Sequence, residues 1–227
     1  MALARSILLG ALALGLGCAQ AALHDRGGGL IYDDALNVTW LQNANFGAGS
    51  AYDDGSSTTD GLMSWTQAMA WAASLSYGGF DDWRLPVATP VRPLDPRFAT
   101  DGSEDYGYNI TRPSSEMAYL YYVTLGGIGA LSPGGVFQLG YESFSRGPFY
   151  KLAESAGYYW TETQHVLPFA AYSFNFSGGN ADANNKISEM YAFAVRDGDI
   201  AAVPEPGSLE MTLMGLALLA FYIPSRR

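Results

Sequence analysis

Residue types that carry redox and nucleophilic chemistry are scarce in this sequence. Its 227 residues include one cysteine, Cys18, and two histidines, His24 and His165. Cys18 lies in an N-terminal apolar segment, and without that segment the chain has no thiol, which excludes disulfides, thiolate catalysis and cysteine-ligated metals. No Gly-x-Ser-x-Gly motif of serine hydrolases accompanies either histidine, and Walker and dinucleotide-binding fingerprints are also missing.

Positive charge is scarce as well. The chain has 12 Lys+Arg against 22 Asp+Glu, a formal net charge of −10. This excludes a nucleic-acid binder of the ordinary basic type, because phosphate neutralisation needs a surplus of Lys and Arg. Hydrophobic residues make up 48% and charged residues 15%, which predicts one folded domain with a sizeable core. The 27 glycines and 15 tyrosines favour a loop-rich fold with strands over a helical bundle.

Residues 1–21 have the three parts of a secretory signal peptide. Arg5 supplies a short basic region, Ile7 to Gly17 an apolar run, and Ala19-Gln20-Ala21 a small-residue cleavage site. A buried N-terminal helix is the alternative, but the segment has no polar face. The residues before Cys18 fit a lipobox poorly, which disfavours a lipoprotein. We therefore expect signal peptidase to cleave after Ala21.

Residues 201–227 also divide into three parts. A spacer with Val203-Pro204-Glu205-Pro206 precedes an apolar run from Met211 to Ile223, and the chain ends on Arg226 and Arg227. The two prolines disfavour helix and hold the apolar run apart from the preceding domain. The run has 13 residues, whereas a bilayer-spanning helix needs about 20. The pattern predicts an apolar C-terminal helix. This helix is too short for a secure permanent membrane anchor but long enough for a transient one.

This tail resembles the PEP-CTERM sorting signal of Gram-negative bacteria, whose motif Val203-Pro204-Glu205-Pro206 matches residue by residue. The resemblance implies export across the inner membrane and cleavage of the tail by a membrane exosortase. It also implies release to, or retention at, the cell surface or extracellular matrix, often alongside exopolysaccharide. An ordinary tail anchor is the alternative.

Residues 22–200 are predicted to form one α+β domain that starts with a hairpin and a helix. The segments Leu30-Ile31-Tyr32 and Val38-Thr39-Trp40-Leu41 flank a polar turn, which predicts the hairpin. Ser64 and Gln67 have the spacing of a capping box before a helix that runs to Leu75. We expect Tyr77-Gly78-Gly79 to end that helix.

The second half of the domain is predicted to hold a second helix and most of the strands. The helix is expected from Glu116 to about Thr124. Aromatic and apolar residues then alternate with polar ones, which predicts a small antiparallel sheet with one buried face, joined by long loops. The predicted strand residues are Tyr158-Tyr159-Trp160-Thr161, Tyr172 with Phe174 and Phe176, and Tyr191 with Phe193 and Val195.

The domain contains the motif Phe80-Asp81-Asp82-Trp83-Arg84-Leu85-Pro86 and other residues at matching spacing. Together they resemble the C-terminal domain of Lcl-type collagen-like adhesins. The resemblance spans about residues 28 to 200 and implies a C-type lectin-like fold and a bacterial surface module, glycan-binding in characterised cases, without general enzymatic activity. The collagen stalk and the cysteines of relatives are absent here. The residues that carry the resemblance are Trp40, Trp65, Asp82, Trp83, Arg84, Leu85, Pro86, Trp160 and Arg196.

A scaffold role is predicted for the central motif, with aromatic loop residues as the alternative binding site. We expect Trp83 and Leu85 to be buried on one side of an extended segment while Arg84 pairs with a carboxylate. A set of aromatic residues offers ring faces on which sugars stack: Tyr106, Tyr108, Tyr141 and Phe144.

Three oxygen-rich segments are candidates for calcium. Asp101, Ser103 and Asp105 are closely spaced, but Tyr106 stands where an EF-hand needs glycine. Asp53-Asp54 and a loop with Asn180, Asp182, Asn184 and Asn185 are the others, and solvated turns are the alternative. The sugar-binding triplets Glu-Pro-Asn, Gln-Pro-Asp and Trp-Asn-Asp of C-type lectins do not occur. We predict no obligatory cofactor.

Charge leaves two further alternatives. Removing Arg5, Arg226, Arg227 and Glu210 from the totals leaves 9 Lys+Arg against 21 Asp+Glu, a formal charge of −12, so binding of an acidic glycan would need a local basic patch. The one candidate patch is Arg84, Arg92 and Arg97 with Arg112, which we expect to pair with nearby Asp instead.

A secreted glycan hydrolase would draw a carboxylate pair from Asp81, Asp82, Glu116, Glu142 and Glu162. We predict an exported, non-enzymatic surface or matrix protein associated with glycan.

Overall fold

The computed structural model describes residues 22–53, 57–152 and 157–200. The predicted signal helix with Ala19 and Ala21 lies outside these residues. So does the predicted sorting tail, whose motif residues are Val203, Pro204, Glu205, Pro206, Arg226 and Arg227. Within the described ranges, no helix is long and apolar enough to cross a bilayer.

The described residues form eleven strands, two α-helices and one π-helix. The helices are short, and strands contain more residues than helices do, which is consistent with an α+β fold. In chain order the elements are β1 (Leu23–Asp25), β2 (Leu30–Asp33), β3 (Val38–Leu41), β4 (Leu62–Met63), α1 (Trp65–Ser74), β5 (Phe98–Ala99), β6 (Tyr106–Gly107), α2 (Glu116–Tyr119), the π-helix (Leu120–Thr124), β7 (Tyr158–Gln164), β8 (Ala170–Asn175), β9 (Asn180–Asn185), β10 (Met190–Tyr191) and β11 (Val195–Asp197).

The first sheet has four strands in the order β1-β2-β3-β11, and all its pairs are antiparallel. The predicted hairpin is confirmed as β2 and β3. Asp33 fixes its turn by accepting hydrogen bonds from the N–H groups of Ala35 and Leu36 at 3.1 and 3.2 Å, and Asn37 has the positive φ that such turns need. This sheet joins the first and last strands of the domain.

The second sheet has seven strands in the order β4-β10-β7-β8-β9-β6-β5. The prediction of one small antiparallel sheet was wrong in size and in pairing, because β10 and β7 are parallel and so are β5 and β6. Two-residue strands such as β5 carry too little pattern to be recognised in a sequence. At its edge, only glycine fits at position 107, where φ is 114° and a Cβ would lie 1.9 Å from the carbonyl oxygen of Ala99.

The helix α1 begins as predicted, with both hydrogen bonds of the Ser64–Gln67 capping box present. It ends at Ser74, earlier than expected, and Gly78 and Gly79 form a turn between Tyr77 and Phe80 instead. Hydrophobic residues continue past the end of the helix because Leu75, Tyr77 and Phe80 also pack on the core. This continuation explains why the helix was predicted to end later.

The predicted second helix is α-helical only through α2 and continues as the π-helix, in which the N–H of Leu125 donates to the carbonyl of Leu120 at 2.8 Å. The wider turn accompanies two consecutive tyrosines that both reach backbone carbonyls. Tyr121 donates to Ile128 O at 2.8 Å, and Tyr122 donates to Gly179 O. Apolar periodicity does not distinguish these two helix types.

The core has two clusters, one on each face of the second sheet. Adjacent residues of β7 point to opposite clusters: Tyr159 packs with Phe174 and Met117, and Trp160 packs with residues of α1 such as Trp71. Tyr159 and Trp160 are both 0% exposed. Burial of aromatic side chains on both faces is the main stabilising contribution of this sheet.

Candidate functional site

The Phe80–Pro86 motif is extended and built into the fold. Arg84 forms two backbone hydrogen bonds with Val195, at 2.8 and 2.9 Å. Trp83 and Leu85, 3% and 1% exposed, pack in the cluster that covers α1. Pro86 O accepts from the N–H of Glu162 at 2.9 Å. This arrangement is the one that the sequence predicts for a scaffold segment.

The Arg84 guanidinium joins three parts of the chain. It donates to both carboxylate oxygens of Glu116 at 2.8 and 2.9 Å and to Oδ1 of Asp197. Burial disfavours the charged guanidinium, but the hydrogen bonds and charges of Glu116 and Asp197 outweigh it, and the pKa of Arg84 is raised. Glu116 also accepts from the N–H of Val87 at 2.8 Å, so its carboxylate is held from two sides.

Arg196 and Asp82 form the second ion pair of the motif, a bidentate one with distances of 2.7 and 2.8 Å. The guanidinium lies 4.1 Å from the centre of the Phe80 ring, a cation–π geometry. Hydrogen bonding by Arg196 lowers the pKa of Asp82. Both members are therefore occupied in holding the segment to β11.

The three remaining tryptophans of the resemblance are also structural. Trp40 is 0% exposed and packs on Phe193 at 4.8 Å between ring centres. The indole N–H of Trp65 donates to Thr161 O at 2.8 Å, and that of Trp160 donates to Met63 O at 2.9 Å. These bonds tie α1 and its N-terminal strand to β7.

The predicted hydrolase carboxylates are only partly brought together. Asp82 and Glu116 are paired with arginines, Asp81 and Glu142 are exposed, and Glu162 lies within the electrostatic reach of Arg84 and Glu116. Burial raises the pKa of Glu162, and the charge of Glu116 raises it further against the opposing effect of Arg84.

Replacing Glu162 with Gln is expected to stabilise the fold at neutral pH. The raised pKa means that ionised Glu162 costs free energy in the folded state, and a neutral amide removes that cost. Below the ordinary glutamate pKa the side chain is protonated in both states, so the gain should vanish as the pH falls. Urea unfolding of Glu162→Gln and wild type across pH 4 to 8 tests this, and a gain that grows on acidification would contradict it.

The predicted basic patch is not free. Arg92 pairs with Glu104 at 2.8 Å and Arg97 with Asp95 at 2.6 Å. Arg112 donates to the carbonyls of Gly102 and Glu104. The expectation that these arginines pair with nearby Asp is confirmed for Arg97. Arg84 and Arg92 also pair with carboxylates, but Arg92 pairs with Glu104 and the partners of Arg84 are Glu116 and the distant Asp197.

The carboxylates of the calcium candidates accept hydrogen bonds from the chain itself, and the candidate segments lie in different parts of the fold. Asp101 accepts from Ser103 through its N–H and its hydroxyl, and buried Asp105 accepts from the N–H groups of Arg92 and Arg97. The predicted Asn180–Asn185 loop is instead the strand β9, which places Asp182 in a sheet. Within the described ranges, no group of three or more His, Cys, Asp or Glu is arranged to hold a metal.

One face of β9 gathers polar and aromatic side chains, of which Tyr158 also packs against the core cluster of Trp160. We call it the β9 face and define it by five side chains, all partly buried: Tyr108, Tyr158, Asn180, Asp182 and Asn184. They come from β7, from β9 and from the residue after β6, so the sheet holds them on a rigid surface.

Strand register places these side chains together. Tyr158 pairs with Asn175, which pairs with Asn180, and Ser173 pairs with Asp182, so their side chains share a face. Gly107 pairs with Ala181 in antiparallel register. Tyr108, the next residue, lies within electrostatic reach of Tyr158 and Asp182.

The contacts of the β9 face leave much of its hydrogen-bonding capacity available. Asn180 Nδ2 lies 3.5 Å from Tyr158 Oη, and Asn184 Nδ2 donates to Ser173 Oγ at 2.7 Å. Asp182 Oδ1 accepts from the N–H of Ala183 at 2.8 Å. Burial raises the pKa of Tyr108, and the charges of Tyr158 and Asp182 add to that effect. The face therefore combines two tyrosine rings with amide and carboxylate groups.

Exposed aromatic residues border the β9 face. Phe98, 55% exposed, packs edge-on against Tyr108 with 6.2 Å between ring centres. Among the other predicted sugar-stacking residues, Tyr141 packs edge-on against the exposed Phe137, with 5.4 Å between the ring centres. Tyr106 and Phe144 pack on the core instead. Tyr108 is the predicted residue that joins the face.

The place of Tyr158 on this face was not predicted, and the residues Asn180 to Asn184 were expected to form a loop. The available signal was the alternation Asn-Ala-Asp-Ala-Asn, which has the period of a strand. Asparagine, aspartate and alanine are depleted in strands, so composition outweighed period in that prediction.

Two family models match the chain. The Lcl C-terminal domain matches residues 29–196, a range that contains both the Phe80–Pro86 motif and the β9 face. The PEP-CTERM protein-sorting motif matches residues 202–227. No curated protein and no solved structure matches the chain.

Proposed function

This chain belongs to the Lcl C-terminal domain family, and from that membership we propose that it is a non-enzymatic, adhesin-like surface protein that binds glycan. Its PEP-CTERM motif indicates an exported, exosortase-processed surface protein of a Gram-negative bacterium. The glycan is proposed to be exopolysaccharide of the cell surface or extracellular matrix, since sorting delivers the chain there.

The proposed organisation has three parts: a signal peptide at 1–21, a C-type lectin-like domain at 22–200 and a sorting tail at 201–227. Signal peptidase removes the first part. The short apolar segment of the tail holds the chain in the membrane until exosortase cleaves it. The loop-rich α+β fold, with its first and last strands in one sheet, supports the lectin-like assignment.

The β9 face carries the proposal for glycan binding. Tyrosine rings offer rigid amphipathic surfaces, and the neighbouring Asn180 and Asp182 offer the donors and acceptors that sugar hydroxyls pair with. The face lies on a sheet, so these groups are in position before a ligand arrives and their ordering costs little free energy.

Replacing Tyr108 or Tyr158 with Ala is expected to weaken glycan binding about tenfold or more, as truncation of a central aromatic contact does. The measurement is the retention of the full chain on columns of purified exopolysaccharide and of defined oligosaccharides. Tyr150, which is 51% exposed and lies outside the face, supplies the control variant Tyr150→Ala. Equal losses in all three variants, or no retention of the wild type on any glycan, would contradict the proposal.

Glycan hydrolysis is the second candidate, favoured by one observation. Burial raises the pKa of Glu162, and the nearby charge of Glu116 raises it further. The general acid of a glycosidase is a carboxyl group with a raised pKa. A hydrolase would release reducing ends from the glycans it retains and lose that activity in Glu162→Gln. The binding proposal predicts retention without new reducing ends.

A further inference from the structure

The carboxylate of Asp182 has no cationic partner within the part of the chain that the structure describes. None of the ion pairs there includes it, although it is partly buried in the middle of the β9 face. Its negative charge acts on the neighbouring Tyr108, whose pKa it helps to raise. A partly desolvated, uncompensated carboxylate favours a bound cation.

The arginines of the described ranges offer little to an anionic ligand. Carboxylates occupy five of them, and Arg112 and Arg146 donate to backbone carbonyls. Of the two described lysines, Lys186 lies 4.3 Å from the centre of the Trp65 ring, and Lys151 is exposed. The large negative excess of the chain repels anionic polymers as well. The five paired arginines are Arg26, Arg84, Arg92, Arg97 and Arg196.

The surroundings of Asp182 suit an organic ammonium group better than calcium. Calcium takes six to eight oxygen ligands, several of them carboxylates, and Asp182 is the one carboxylate of the β9 face. Tyr108 lies within electrostatic reach of Asp182, and Tyr158 lies beside Asn180 on the same face. Aromatic rings attract ammonium groups through their faces. Asn180 and Asn184 add amide oxygens that accept hydrogen bonds from an N–H donor.

We propose that the β9 face binds the primary ammonium group of an amine-bearing glycan, such as a deacetylated hexosamine polymer, with Asp182 as its ionic partner. The proposal rests on the proposed glycan-binding function and names the ligand chemistry of that site. Tyr108 and Tyr158 hold the sugar rings, and Asp182 distinguishes the amine from its acetylated form.

Calorimetric titration of the full chain with oligomers of glucosamine, N-acetylglucosamine and a uronic acid, matched in length, tests this proposal. The glucosamine oligomer should bind at least tenfold more tightly than the acetylated one, and the uronic acid oligomer should bind most weakly. Asp182→Asn keeps the side-chain shape and should reduce the tenfold preference to less than twofold. Asp25→Asn, which removes one exposed charge from β1 of the first sheet, should preserve the preference.

Each other outcome overturns the inference in a recognisable way. Equal affinity for the two hexosamine oligomers, unchanged by Asp182→Asn, overturns it and leaves glycan binding standing. Tightest binding of the uronic acid oligomer does the same. Loss of binding on chelation of divalent ions would assign Asp182 to a metal instead. Binding of none of the three oligomers, together with no retention on exopolysaccharide, overturns both this inference and the proposed function.

Discussion

Replacing Arg84 with Ala is expected to lower the free energy of unfolding by about 3 kcal/mol, the cost of breaking a buried ion pair by removing one partner. The Glu116 side chain is 7% exposed and loses two charge-assisted hydrogen bonds in this variant. Its remaining partner described here is the N–H of Val87. The uncompensated carboxylate must then stay buried or pull its surroundings open.

Urea unfolding followed by tryptophan fluorescence measures this loss. Arg97→Ala is the matched control, because Arg97 and its partner Asp95 have side chains 56% and 69% exposed, and exposed ion pairs contribute at most about 1 kcal/mol. A loss for Arg84→Ala no larger than that for Arg97→Ala would show that the Arg84 pair is not the structural link described above.

Replacing Trp160 with Ala is expected to cost about 4 kcal/mol, within the usual range for truncating a buried tryptophan. Trp160 is 0% exposed, fills the cluster between β7 and α1, and donates its indole N–H to Met63 O. The variant leaves both a cavity and an unpaired carbonyl. Because small domains are stable by only about 5–15 kcal/mol, a substantial part of the free energy of unfolding would be lost.

Trp160→Phe separates the two contributions. Phenylalanine fills much of the same volume but has no N–H, so we expect it to cost about half as much as alanine. The melting temperature and the urea midpoint of both variants provide the measurement. If alanine and phenylalanine cost the same, the hydrogen bond to Met63 would dominate and the packing argument would be wrong.

Local signals in the sequence were sufficient for one hairpin and one helix start in the first half of the fold. The β2–β3 hairpin and the start of α1 follow from residues near each other in the chain, namely the Asp33–Asn37 turn and the Ser64–Gln67 capping box. The burial of Trp83 and Leu85 also follows from local pattern. Such features depend on few long-range contacts, so short-range periodicity and turn chemistry predict them.

Long-range pairing was beyond these signals. The alternation of Tyr191, Phe193 and Val195 predicted one strand, but β10 belongs to the second sheet and β11 to the first. The pattern is uninterrupted because all three side chains are buried in the same cluster. Periodicity reports burial, and it does not report which sheet a residue joins.

The candidate site was predictable only in pieces. Tyr108 and Asp182 were singled out for different reasons, as a sugar-stacking ring and as a calcium ligand. They meet because β6 and β9 pair across more than seventy residues of sequence. Tyr158 was predicted only as a strand residue. Its neighbour Tyr159 faces the opposite side of the sheet.

The intact mass of the protein recovered from outside the producing cells tests the central claim, which is delivery of a thiol-free acidic domain to the cell surface by two removable termini. The predicted mass is below the 24.3 kDa of the full chain and lacks residues 1–21 and the apolar segment Met211 to Ile223. Protein recovered from cells that lack exosortase should retain the C-terminal tail. Recovery of the untrimmed 24.3 kDa chain from the cytoplasm of exosortase-containing cells would contradict the claim.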